Sequence, residues 1–159
     1  MLKLEDLIKD FNLEIIKKGK DDVIVKSNDI NRPGLELAGY YNYFSNERVQ
    51  IIGKAEVNYL NDMEYELKKR RVKKYLDLGV EFIIITRGLN YPFEFIEYAI
   101  ENNIWLLRTD MTTTSFISEP LHLSGAQMGL LCPLNRSNLL QRQPLAHRSW
   151  YLYTMSNIY

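Results

Sequence analysis

Apolar positions in this chain change their period several times, and each change predicts an element. Leu4, Leu7, Ile8 and Phe11 recur at helical spacing with charges between them, which predicts a short amphipathic helix. LEIIKK and DVIVKS follow as two short β-rich runs separated by the turn-forming GKDD. SNDINRPGLELAGYYNYF then combines capping side chains, an Arg-Pro-Gly turn and an apolar stretch, the signature of a loop leading into a short helix. Its aromatic end, Tyr40, Tyr41, Tyr43 and Phe44, suits core and hinge packing better than base stacking.

The middle of the chain has three apolar runs without alternation, VQIIGK, EFIIIT and IWLLRT, as expected of strands buried on both faces. Between the first two, a helical period extends from about Ala55 to Asp77 and ends before Gly79, where glycine supplies a left-handed cap. Between the second and third, Pro92 occupies the first turn of another helix, with Phe93, Ile96, Ala99 and Ile100 on one side and Asn102 or Asn103 closing it. This β-α-β-α-β order predicts an α/β fold: a parallel or mostly parallel sheet with right-handed crossovers, covered by helices on both faces in three layers.

Composition narrows the function classes. A chain of 159 residues is the size of one ordinary domain. Twenty Lys and Arg balance twenty Asp and Glu, so no global field draws it to nucleic acid or to an anionic membrane, and neither is expected as a partner. A single cysteine, Cys132, a charged N-terminus and no apolar run of membrane-spanning length suggest a cytoplasmic protein. KKRRVKK, residues 68–74, spreads around a helix and follows Glu56, Asp62, Glu64 and Glu66, so it reads as a solvated, dipole-compatible helix end. His122 and His147 lie too far apart to give a metal-ligand spacing, and no metal is expected.

Open parallel sheets place ligands beyond the carboxyl ends of their strands. The residues there are Gly53 and Lys54, then Thr86, Arg87 and Gly88, then Arg108, Thr109 and Asp110. Lys54, Arg87, Arg108, Thr109 and Asp110 form a candidate anion site for a phosphometabolite or nucleotide. The alternative is a structural network in which Asp110 neutralises one or two of the cations while Thr86 and Thr109 cap the edge. Gly-Lys after a strand is not a nucleotide-binding loop here: Gln50, Ile51 and Ile52 precede Gly53, and Ala55 stands where a magnesium-binding hydroxyl is required. No nucleophile and base can be paired, and Asp29 or Asp110 as an acid or base lacks a partner, so no catalytic residue is assigned.

Four stretches, SNDINRPGLELAGYYNYF, ERVQIIGKAEVNYL, FIIITRGLNYP and NNIWLLRTDMTTTSFIS, occur jointly and in this order. Together they make residues 2–118 resemble the N-terminal domain of the HPr kinase/phosphorylase family. The resemblance implies bacterial enzymes that phosphorylate and dephosphorylate a serine of the phosphocarrier HPr in carbon catabolite control. It places their ATP, magnesium and P-loop in a separate C-terminal kinase domain. It also implies a fold similar to the leading domain of the Mur ligases, and a structural or regulatory role for this part. HPr and a kinase domain in cis are the partners it implies; self-assembly into a homo-oligomer is left open.

After Ser118 the composition shifts. No lysine occurs beyond Lys74, and Glu119 is the only carboxylate after Asp110. The expectation is therefore a domain over 1–118 and an atypical tail over 119–159 that is foreign, frame-shifted or linker-encoded and irregularly packed; a genuine alternative C-terminus is the other reading. No cofactor is expected for this chain by itself.

Overall fold

The computed structural model describes residues 2–119. The chain runs through β1 (Leu2–Lys3), α1 (Leu4–Asp10), β2 (Glu14–Lys17), β3 (Ile24–Val25), β4 (Ile30–Asn31), α2 (Gly34–Ala38) and β5 (Val49–Ile52). It continues through α3 (Lys54–Asn61), α4 (Tyr65–Leu76), β6 (Phe82–Ile85), α5 (Phe93–Asn102), β7 (Trp105–Arg108) and α6 (Thr113–Ser118). The readings made for the tail, for Cys132 and for both histidines lie outside the described residues.

The main sheet has the order β2-β7-β6-β5-β4, and β1 pairs with β3 in a separate ribbon. Strands β4 to β7 are parallel and β2 joins β7 antiparallel, so the sheet is mostly parallel. Alternation along the three central strands divides the core. Ile52, Ile83, Ile85 and Leu106 face one layer with Leu37, Leu60, Val72, Tyr75, Leu76, Phe95 and Ala99. Val49, Ile51, Phe82, Ile84, Trp105 and Leu107 face the other, with Leu4, Leu7, Val23, Val25 and Phe116. Each fully buried aliphatic side chain contributes about 2 kcal/mol, and this two-sided burial explains why the strands are apolar apart from Gln50, whose buried amide is fully hydrogen-bonded, and Arg108 at the end of β7.

The strand order explains which helices lie where. From β4 to β7 the chain adds neighbours in one direction, so right-handed crossovers carry α2, α3, α4 and α5 to the same face. The other face is closed by α1, the β1–β3 ribbon and α6. Both faces are covered, as expected, but only one of them by the crossover helices.

Three expectations need correction. The single helix from Ala55 to Asp77 is two helices, because the Glu64 carboxylate accepts hydrogen bonds from the amides of Glu66 and Leu67, each 3.0 Å, and restarts the helix. Helix α5 buries Phe95, Tyr98 and Ala99 and packs Ile96 against the same core, so two of the four expected residues face inward, whereas Phe93 and Ile100 are 67% and 60% exposed. Both rows have helical period; the aromatic row is selected because Phe95 meets Tyr75 and Tyr91 at ring-centroid distances of 6.3 and 6.0 Å. Of the aromatic run, Phe44 packs edge-on against Tyr75, but Tyr40 and Tyr43 are exposed, Tyr43 at 84%. They lie in the loop after α2, where no layer covers them.

Candidate functional site

Strands β5, β6 and β7 end side by side, and the segments after them are stitched together through the backbone. The Thr86 amide donates to Ile52 O (3.0 Å) and the Thr109 amide to Ile85 O (2.9 Å). The amides of Arg87 and Gly88 donate to Met111 O (2.8 Å) and Thr109 O (2.9 Å). Helix α6 then places Thr113 over the strand ends, its hydroxyl 2.8 Å from that of Thr86, which also donates to Ile52 O. Loops after β5 and β6 lead to one face and the loop after β7 to the other, an arrangement that opens a crevice in open α/β sheets. Here Thr113 and the stitched loops occupy it.

Of the sequence-predicted residues, Lys54 opens α3 directly after Gly53, and Arg87 follows Thr86 at the end of β6. Arg87 has a left-handed backbone, φ 63°, followed by Gly88 at φ 61°. Glycine suits the second position because its φ is left-handed, and a side chain there would also displace the Asp110 carboxylate, whose oxygen would stand 2.7 Å from the added carbon. The remaining non-glycine residues with positive φ among those described are Asn12, Asp22 and Asn103, types that tolerate this conformation. An arginine there costs about 1 kcal/mol. Thr109 is buried and its hydroxyl accepts from the Met111 amide.

Arg108 has a different role from the one expected. Its Nε and Nη2 donate to the two Glu14 oxygens at 2.7 and 2.8 Å, and Nη1 donates to Asn90 Oδ1 at 2.8 Å. The expected pairing of Asp110 with an edge cation is replaced by this clamp, because antiparallel pairing puts Glu14 directly across from Arg108. The clamp holds the Glu14 carboxyl below the ordinary carboxylate range, chiefly through the Arg108 hydrogen bonds, and raises Arg108 in turn. A carboxyl lowered on folding stabilises the fold above its unfolded value, and that stability is lost as pH falls through the lowered one. Stability of the wild type, measured by urea midpoints from about pH 7 to about pH 3, should therefore fall more steeply toward acid than that of Arg108→Met. Glu64, held low by the Glu66 and Leu67 amides, titrates in both proteins and cancels in the comparison. Equal acid slopes would refute the clamp.

Sequence reasoning missed Arg32 and Glu56. Arg32 Nη2 lies 2.9 and 3.0 Å from the two Glu56 oxygens, and Glu56 Oε2 also accepts from the Gly53 amide at 2.9 Å. Glu56 is buried, and a side chain at Gly53 would press on Thr113, Glu56 and Arg32. The available signal was Gly-x-x-Glu at a helix start, the spacing of a reciprocal cap. Beneath the edge, the buried Gln50 amide joins layers: its Oε1 accepts from Asn31 (2.9 Å) and Tyr75 (3.0 Å), and its Nε2 donates to Ser45 O and Arg48 O. Burial pushes the Tyr75 hydroxyl well above its ordinary range.

The basic cluster is largely engaged within the domain. Lys68 pairs with Glu94 at 3.3 Å, and Lys73 and Lys74 sit over the rings of Tyr98 and Tyr41. Arg71 packs against Gly39 at the end of α2. Among the described residues, no helix is long and apolar enough to cross a membrane, and no group of three His, Cys, Asp or Glu could hold a metal ion.

Residues 2–122 match the family described as HPr Serine kinase N terminus. The chain is 52% identical over 118 residues to the HPr kinase/phosphorylase of Clostridium botulinum strain Alaska E43, covering 74% of this chain and 39% of that protein. It is 53% identical over 116 residues to that of Clostridium beijerinckii, covering 73% and 38%. The chain thus spans about two fifths of the length of these curated relatives. Among solved structures, it resembles the CBS and DRTGG domains of the regulatory region of Clostridium perfringens pyrophosphatase, complexed with the activator diadenosine tetraphosphate. That likeness has a TM-score of 0.50 at 18% identity, covers 70% of this chain and 43% of the other, and concerns the fold alone.

Proposed function

Because the chain belongs to the family described as HPr Serine kinase N terminus, we propose that it is the non-catalytic, structural and regulatory domain of an HPr kinase/phosphorylase-like protein. In that reading, phosphoryl transfer to and from a serine of HPr, with ATP and magnesium, belongs to the part of the relatives that this chain does not match. The observation that carries it is the match over 2–122 against relatives of which the chain covers about two fifths. Site chemistry supports it. Phosphoryl transfer needs a phosphate cradle, metal ligands and a positioned base. At the end of β5, where Gly-Lys follows a central strand, the Gly53 amide is already taken by the chain's own Glu56 carboxylate, where a phosphate oxygen would need to sit. The sheet covered on both faces is also the arrangement that we ascribe, through the family resemblance, to the leading domain of the Mur ligases.

Incubated with ATP, magnesium and HPr, the chain is expected to yield no phosphoserine above background. A phosphoserine product that grows with the amount of chain added would overturn the assignment.

A further inference from the structure

Three cations follow three neighbouring strands at the carboxyl edge: Arg32 after β4, Lys54 after β5 and Arg87 after β6. Arg32 is braced by Glu56 and lies beside Gly53. Lys54 and Arg87 have no ion pair and no side-chain hydrogen bond among the described residues. Folding draws no visible benefit from an arginine at position 87, whose left-handed backbone glycine or asparagine would adopt with less strain. Strained residues of this kind concentrate where a side chain has work outside the fold.

Two of the nearby acids are engaged, Glu56 by Arg32 and the Gly53 amide and Glu14 by Arg108. The exposed Asp110 carboxylate lies close to Gly88 and leaves two or more cations facing one acid at this edge. The amides of Gly53, Arg87 and Gly88 are all taken, so an anion at this edge must be held by side chains. We propose that Arg87 and Lys54, with Arg32 braced beside them, bind a phosphate group, free or carried on a small molecule. Guanidinium forks and ammonium groups suit such an anion because their charge-assisted hydrogen bonds match its oxygens. Arg108, already saturated, takes no part. This inference goes beyond the non-catalytic assignment and does not depend on it.

Calorimetric titration of the full chain with inorganic phosphate and with glycerol 3-phosphate, against chloride at equal ionic strength, tests it. Saturable heat is expected with phosphate and none with chloride. Glycerol 3-phosphate binding equally well assigns the site to an esterified group, and phosphate alone binding assigns it to the free ion. Arg87→Gly should weaken binding at least about tenfold while raising the melting temperature, since glycine relieves the strained turn. Arg108→Ala should leave binding unchanged. Absence of saturable heat, binding that survives Arg87→Gly, or binding lost in a folded Arg108→Ala protein would each overturn the proposal.

Discussion

Gly19→Ala is expected to destabilise the domain by about 3 kcal/mol, although the position lies outside every helix and strand. A Cβ there would stand 2.5 Å from Trp105 N and 2.7 Å from Asn103 O, both backbone atoms that cannot swing away. The turn between β2 and β3 must lift off the start of β7. With it go the Lys20 amide to Asn103 O bond (2.9 Å) and the Trp105 indole to Lys20 O bond (2.7 Å). Gly34→Ala is the control: it opens α2, nothing lies within 4 Å of its added carbon, and alanine is the better helix former. Urea denaturation should show a large loss for Gly19→Ala and none for Gly34→Ala. Equal midpoints for both variants would mean that the turn is not packed as described.

The second large effect concerns the ion pair between α4 and α5. Lys68 and Glu94 meet at 3.3 Å with side chains only 16% and 4% exposed. Lys68→Met leaves a carboxylate buried without its cation, a change that costs about 3 kcal/mol or more. Lys68→Met combined with Glu94→Leu removes both charges and should regain most of the loss, because two apolar side chains of similar size fill the same space between the helices. Chemical denaturation of the two single variants and the double variant completes the cycle. A neutral Lys68→Met, or a double variant no better than the single ones, would show that the pair is effectively solvated.

The central strands were legible because a strand buried on both faces leaves little room for polar residues: FIII is wholly apolar, VQII has only the hydrogen-bonded Gln50, and WLLR has only Arg108 at its end. Strand β4 was not legible. Ile30–Asn31 is two residues long and becomes a strand only by pairing with Val49 and Gln50. The break at Glu64 left a weak trace, since a carboxylate inside a helical period is ordinary until its oxygens turn back onto the next two amides. At the candidate site, the positions of Lys54, Arg87 and Arg108 followed directly from the strand ends. Their fates did not: Glu14, which saturates Arg108, is 94 residues away in the chain, and Glu56, which braces Arg32, is 24 away.

Periodicity and turn chemistry, read along the chain, were enough to establish the layered α/β class, the three parallel central strands and the edge at which polar residues collect. Each of these depends on spacing between near neighbours, and sequence records such spacing directly. Folding alone chose which face each helix covers, which aromatic row of α5 is buried and which edge cations keep their donors free. Those outcomes depend on distances between segments remote in the chain, and such distances exist only once the sheet has brought the segments together.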